Sequence, residues 1–180
     1  MKKILIGLLI LNIHGVAQQK YITKTGTIHF EASVPSFEEV SAKNNSVTAI
    51  INSESGEFAA LALVKAFRFK NALMEEHFNE NYAESHKFPK ATFKGQIEKF
   101  RMESLSASNK TFKVTGELTF HGVKKVINNC EAIMSRTETG ILMEGKFKVK
   151  ASDFDIDIPK IVRNKIADDI LIEFRFELFQ

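Results

Sequence analysis

The chain has 180 residues, 44% hydrophobic and 26% charged, the balance of an ordinary globular domain and not that of a disordered segment, a collagen-like fibre or a multi-span membrane protein. Its formal charge of +3 owes two units to Lys2 and Lys3. Without residues 1–17 the 25 Lys and Arg become 23 against 22 Asp and Glu, a net +1, so bulk charge gives no reason to expect a nucleic acid or other polyanion as partner.

The first seventeen residues read as a targeting segment. Met1-Lys2-Lys3 is a positive start, Ile4 to Ile13 is an apolar run broken only by Gly7 and Asn12, and Gly15-Val16-Ala17 supplies small residues ahead of a cleavage point before Gln18. About ten apolar residues are half of the roughly 20 needed to cross a bilayer, and no later stretch reaches that length. The expectation is a cleaved signal peptide over 1–17 and one exported domain over 18–180, periplasmic or secreted, without stable membrane insertion. Oligomeric state is left open between monomer and homodimer.

Period-2 alternation then dominates, as in antiparallel strands with one buried face. Ile28, Phe30 and Ala32 alternate with Thr27, His29 and Glu31, and Val47, Ala49 and Ile51 share the next face. Phe58 to Lys70 is strand-like with its inward face unassigned. Asn71 can cap a helix over about 71–83, in which Met74, Phe78 and Tyr82 form a stripe at four-residue spacing. Strands resume with Ala91, Phe93, Gly95 and Ile97, then with Phe112, Val114, Gly116, Leu118 and Phe120 on one side of the clearest run. Val126, Cys130 and Ala132 are expected to share a face. Met143, Gly145, Phe147 and Val149 repeat the pattern, as do Ile170, Ile172, Phe174, Phe176 and Leu178. Turns are expected at Asn44-Asn45, Ser53 to Gly56, Ser104 to Asn109, His121-Gly122 and Thr137 to Gly140, with a short helix or turn around Pro159 to Ala167.

Seven or eight such strands and one helix fit either a sandwich or a closed up-and-down barrel. Sixteen Phe against two Tyr and no Trp is a bias toward bulky side chains without polar handles. Such residues suit a hydrocarbon pocket and a solid core equally well.

Three stretches carry a resemblance. Glu76-His77-Phe78-Asn79-Glu80-Asn81-Tyr82 leads into Lys87-Phe88-Pro89-Lys90-Ala91-Thr92-Phe93. Val114-Thr115-Gly116-Glu117-Leu118-Thr119-Phe120-His121-Gly122-Val123 forms a strand and turn. Ala151-Ser152-Asp153-Phe154-Asp155-Ile156 follows the penultimate long strand. Together, from about Tyr21 to the C-terminus, they resemble the YceI-like family of exported, lipocalin-like lipid-binding proteins. The resemblance implies an eight-stranded antiparallel barrel with one helical segment, and an isoprenoid chain held inside without chemistry. It implies no cofactor beyond a bound polyisoprenoid or isoprenoid quinone as ligand. The family's Asp-x-x-His-Ser pattern in the opening strand is replaced by Thr23-Lys24-Thr25-Gly26-Thr27, so the headgroup preference is not carried over. On the inward faces of the motif strands the expected ligand-binding residues are Ile28, Phe30, Phe93, Phe112, Val114, Leu118, Phe120, Met143, Phe147 and Phe174, with Met74 and Phe78 as a cap. The partner is an apolar lipid.

Reactive chemistry finds little footing. His29 alternates with inward residues and is expected to face out. His77 and His86 are nine apart with no H-x-x-x-H spacing, and His121 in the His-Gly turn fits a structural hydrogen bond. Asp153, Asp155 and Asp157 lack the Gly and Glu positions of a calcium loop and are expected on the outer face of a strand. Cys130, the only cysteine, reads as a buried structural thiol. There is no G-x-S-x-G elbow or phosphate loop. Two further readings stand beside the carrier: a filled-core interaction module with an apolar patch around Leu61 and Leu63, and an enzyme using His77, His86 or His121 at the barrel mouth.

Overall fold

The alternating runs become strands that wind into a closed barrel. This computed structural model describes residues 20–35 and 37–180; the signal-peptide reading of residues 1–17 and its cleavage point lie outside the described residues. Eight long strands, β1 (Lys20–Ser33), β2 (Ser41–Asn52), β3 (Glu57–Leu63), β5 (Lys90–Ile97), β6 (Lys110–Phe120), β7 (Val123–Arg136), β8 (Gly140–Val149) and β9 (Ile166–Phe179), are joined by a two-residue β4 (Arg68–Phe69). Each long strand pairs antiparallel with its neighbour in the order β1-β9-β8-β7-β6-β5-β3-β2, and β1 pairs with β2 to close the ring. Closure pairs every long strand on both sides over at least part of its length and gives each an inner and an outer face.

The turns follow local chemistry. His121 and Gly122, at φ 50° and 76°, make the two-residue hairpin between β6 and β7 whose twist matches the flanking strands. Between β2 and β3, the Asn52 side chain accepts hydrogen bonds from the Glu54 and Ser55 amides at 3.0 and 3.2 Å, while Gly56 takes the positive φ of 74°. Asn71 caps the helix α1 (Ala72–His77), its side chain accepting from the Leu73 amide at 2.9 Å. The helical segment then widens into a π-helical turn over Phe78–Tyr82.

Several local expectations are corrected. Asn44-Asn45 is not a turn: β2 runs through it, because the buried Asn44 side chain donates to Leu63 O at 3.1 Å and accepts from the Ser46 amide at 2.9 Å, satisfying itself inside the sheet. Phe58 to Lys70 is not one strand but β3, a 3-10 turn over Val64–Ala66 and β4. Asp153 and its neighbours do not form a strand. Ala151–Phe154 is a 3-10 turn ended by Asp155 in the left-handed region at φ 55°. Around Pro159 to Ala167, by contrast, the chain makes the expected turn and short helix, a 3-10 segment over Arg163–Lys165. Finally, Val126 does not share the inner face with Cys130. It is 58% exposed while Ile127 is buried, because β7 gains a residue against β6 between the pairs Val114–Cys130 and Gly116–Ile127.

The barrel is solid at one end and hollow at the other. At the end bearing the β1 N-terminus, the inward residues Tyr21, Ile51, Phe112, Met134, Ile141 and Leu178 are all buried against one another. Further along the same strands the inward residues are only half-buried: Ile28 and Phe30 on β1, Leu118 and Phe120 on β6, Phe147 on β8, Ile170 and Ile172 on β9. An inward side chain that stays partly accessible is facing space.

Candidate functional site: an apolar cavity in the open half of the barrel

That space is a cavity of about 380 Å³, within the range of roughly 300–1,000 Å³ typical of small-molecule sites. Its floor consists of four phenylalanine rings in sequence: Phe93 lies 5.7 Å from Phe58, Phe58 5.9 Å from Phe176, and Phe176 stacks on Phe174 at 5.4 Å. Three of these rings are seated on glycines. A Cβ at Gly26 would lie 2.4 Å from the Phe176 ring, one at Gly116 2.5 Å from Phe93, and one at Gly145 2.5 Å from Phe174. Glycine in these strand interiors makes room for a ring to lie flat across the lumen. Below the floor is the solid end.

The walls are strand residues: Ile28, Phe30, Ala60, Ala91, Val114, Leu118, Phe120, Ile127, Phe147, Ile170 and Ile172. At the rim, a second cluster joins Phe30 and Phe67 (5.6 Å), Phe30 and Phe69 (5.6 Å), and Phe78 with Phe30 (5.4 Å) and Phe69 (5.2 Å). Phe78 thus docks the helical segment over one side of the opening, beside Met74. The opposite side is bounded by Phe154, Ile156, Ile158 and Val162 from the segment between β8 and β9. Of the polar side chains in the lining, His77, Tyr82, Lys150 and Lys165 belong to these rim segments, Glu38 to the β1–β2 connection, and Thr92 to β5. Binding here relies on the removal of hydrocarbon from water and offers few directional bonds.

Polar contacts around the rim fix its parts. His121 joins two of them: Nδ1 lies 2.9 Å from Phe154 O and Nε2 2.8 Å from Glu84 Oε2. Both partners are acceptors, and they hold the ring between the two segments. The His121 hydrogen bond, aided by Lys87, holds the Glu84 carboxyl below the usual carboxylate range. Lys125 Nζ donates to Asp153 at 2.7 Å and, with the Lys150 amide, lowers that carboxyl too. Lys70 pairs with Glu39 on the far side and, with Ser41, lowers Glu39 likewise. Burial pushes the Cys130 thiol up to about 11, leaving it protonated and a poor nucleophile. Among the described residues no group of three His, Cys, Asp or Glu could hold a metal ion.

Of the twelve residues singled out from the sequence, the structure brings ten together on the cavity lining: Ile28, Phe30, Met74, Phe78, Phe93, Val114, Leu118, Phe120, Phe147 and Phe174. The other two, Phe112 and Met143, lie in the solid end, 6% and 0% exposed, with Phe112 packed on Phe100 at 5.9 Å. Inward direction was legible for them; height along the barrel was not. Sequence reading missed the floor residues Phe58 and Phe176, the rim rings Phe67 and Phe69, and Ile127, which the β7 irregularity turns inward. Phe176 and its neighbours Ile170 and Ile172 were visible in the β9 alternation. Phe67 and Phe69 lie in the strand-like run Phe58 to Lys70, whose inward face the sequence does not assign. His29 faces outward, with Nδ1 3.3 Å from Glu173. His77 is at the rim, and His86 is exposed outside the lining.

The family model of the YceI-like domain matches residues 12–178. Among solved structures, a polyisoprenoid binding domain from Saccharophagus degradans is similar with a TM-score of 0.74 and 17% identity, covering 89% of this chain and 96% of that one. BcnA of Burkholderia cenocepacia gives 0.69 and 16%, covering 86% and 96%. The YCEI protein of Campylobacter jejuni gives 0.57 and 18%, covering 100% and 99%. At such identities the likeness is one of fold. No curated protein matches the chain.

Proposed function

We propose that this chain, which belongs to the YceI-like domain family, binds a long apolar lipid in the open half of its barrel and sequesters or carries it without chemical change. The observation that carries the reading is the half-hollow lumen, a cavity of about 380 Å³ walled and floored by phenylalanine and aliphatic side chains. A filled-core interaction module has no use for a hollow of this kind. The similar fold of a polyisoprenoid binding domain favours a polyisoprenoid or the tail of an isoprenoid quinone as cargo. Affinity comes from hydrocarbon burial, about 25 cal/mol per Å² of apolar surface removed from water, and selectivity from the width and length of the chain. A lining made almost wholly of phenylalanine and aliphatic side chains, in a chain of the YceI-like family, favours binding over catalysis. We further propose export to the periplasm or beyond, on the positive start, short apolar run and small-residue cleavage site of residues 1–17.

The test is native mass spectrometry of protein from its own host, followed by organic extraction. A stoichiometric added mass that extracts as an isoprenoid supports the reading. Folded protein that carries no added mass and takes up no added polyprenol refutes it. N-terminal sequencing of the same sample reads the cleavage point, with Gln18 expected first.

A further inference from the structure

One seam of the barrel is hydrogen-bonded only halfway. β7 pairs with β8 from Arg136 opposite Ile141 to Ala132 opposite Gly145, and there the ladder ends. Toward the open end, β7 goes on pairing with β6 as far as Val123 opposite Phe120, and β8 goes on pairing with β9 as far as Val149 opposite Ile170. The two strands therefore part above Ala132 and Gly145. The cause is local to Asn128-Asn129, where β7 holds one residue more than β6 and Asn129 takes a φ of 53°. Asn tolerates that conformation, and such a bulge bends its strand. The short β2–β3 ladder makes a contrast: there β4 pairs onto β2 and the Asn44 side chain bonds Leu63 O, so backbone and amide fill the gap.

At the β7–β8 seam the filling is side chains. Ile127, Cys130, Phe147 and Phe174 line both the inner cavity and a groove on the outer face of the sheet, so a single layer of side chains separates lipid space from solvent. The top of the gap is crossed by Ala151–Phe154, which turns off the end of β8. This strap is held by Lys125 of β7 to Asp153 (2.7 Å) and by His121 to Phe154 O (2.9 Å), with the Phe154 ring edge-on to Phe120 at 5.5 Å.

We propose that this gap is a side port through which the apolar chain slides into and out of the cavity, with the Lys125–Asp153 strap as its latch; the proposal rests on the lipid-carrier reading. A chain passing sideways leaves its headgroup in the charged outer groove, among Lys125, Glu131, Glu144 and Lys148, and no polar group has to cross the phenylalanine-lined interior. The Phe floor makes the cavity a dead end. From Ile166 to Phe174 on β9 it is about 20 Å deep, for a strand rise near 3.3 Å per residue and a tilt near 40°. A longer chain has to continue through the wall or the mouth.

The experiment compares unaltered protein with Lys125→Met and Asp153→Asn, using tritiated geranylgeraniol as probe. Three quantities are read: bound stoichiometry, release rate into excess phosphatidylcholine vesicles, and alkylation rate of Cys130 by N-ethylmaleimide. Loss of a partly exposed ion pair is expected to speed release about two- to fivefold at unchanged stoichiometry, with Cys130 alkylation rising in step. Lys124→Met, which breaks the surface pair with Glu117, is expected to change neither rate. Faster alkylation with unchanged release overturns the port as the route of the lipid, and no change in either rate overturns the latch. If one variant fails to fold, the other removes the same pair from the opposite side. No probe uptake by unaltered protein sinks the carrier reading itself, whereas uptake with latch-independent release sinks the port alone.

Discussion

Truncating one phenylalanine in each half of the barrel separates a hollow lumen from a filled one. Phe112 is 6% exposed in the solid end and packed on all sides, with Phe100 at 5.9 Å. Its replacement by Ala removes a full set of contacts and leaves a cavity, at a cost of about 3–5 kcal/mol. Phe147 is also inward on its strand, but one side of its ring faces the cavity. Atoms facing a void have no partners there to lose, so Phe147→Ala is expected to cost about half as much, roughly 1.5–2.5 kcal/mol on the same scale. At about 2–4 °C per kcal/mol for a domain of this size, the melting temperature falls by about 6–20 °C for Phe112→Ala and about 3–10 °C for Phe147→Ala. Urea denaturation of delipidated protein measures both, with the slope checked for two-state behaviour. Equal costs would mean that the open half is as well packed as the closed half and that the half-buried inward residues do not border a cavity.

The rim carboxylates give a pH signature with a definite sign. Glu84 and Asp153 are held below their ordinary values by His121 and Lys125, so the stability they contribute is present above the usual carboxylate range and is lost as pH falls through their lowered folded-state values. Glu84→Gln is expected to flatten the loss of stability below about pH 4.5, where unperturbed Glu begins to protonate, in thermal melts taken across the acid range; an unchanged profile would count against the His121–Glu84 contact. His29→Ala, on the outer face beside the half-buried Glu31 and the exposed Glu173, is expected to shift stability by less than about 0.5 kcal/mol and to leave lipid uptake unaltered, as read by melting and by native mass.

The fold was legible in the sequence wherever a strand kept its period. Phe112, Val114, Leu118 and Phe120 all point inward as the alternation says, and the His121-Gly122 hairpin falls where two residues that tolerate positive φ stand together. Legibility failed where one residue broke the count. At Asn128-Asn129 the extra residue puts Ile127 inside and Val126 outside, and nothing in a period-2 reading announces it. It failed again at Asn44-Asn45, where a pair that looks like a turn sits within β2, because the Leu63 carbonyl that satisfies Asn44 is nineteen positions away. The site has the same limit. Alternation tells which way Phe112 and Phe147 point, but their heights along the barrel depend on the stagger of eight strands, which only the closed structure fixes.

The glycines show why the two halves can coexist in one small barrel. A lumen ringed by eight strands is wide enough to be filled by side chains, so leaving half of it empty needs a partition. Gly26, Gly116 and Gly145 let Phe176, Phe93 and Phe174 lie across the lumen at one level, with Phe58 completing the row. Below that row, Tyr21, Met134, Met143 and Leu178 are packed without regard to a ligand and provide the cohesion of a core without disulfides. Above it, side chains are free to meet a hydrocarbon in place of one another. A Cβ at Gly26 would come within 2.4 Å of the Phe176 ring and 3.0 Å of Val47 O, so Gly26→Val has to tilt that ring upward into the cavity. The expected result is a loss of lipid capacity larger than the loss of stability, read as a lower bound stoichiometry of a long polyprenol in protein whose melting temperature falls by only a few degrees. Unfolding without selective loss of capacity would mean that Phe176 belongs to the core beneath and forms no part of the floor.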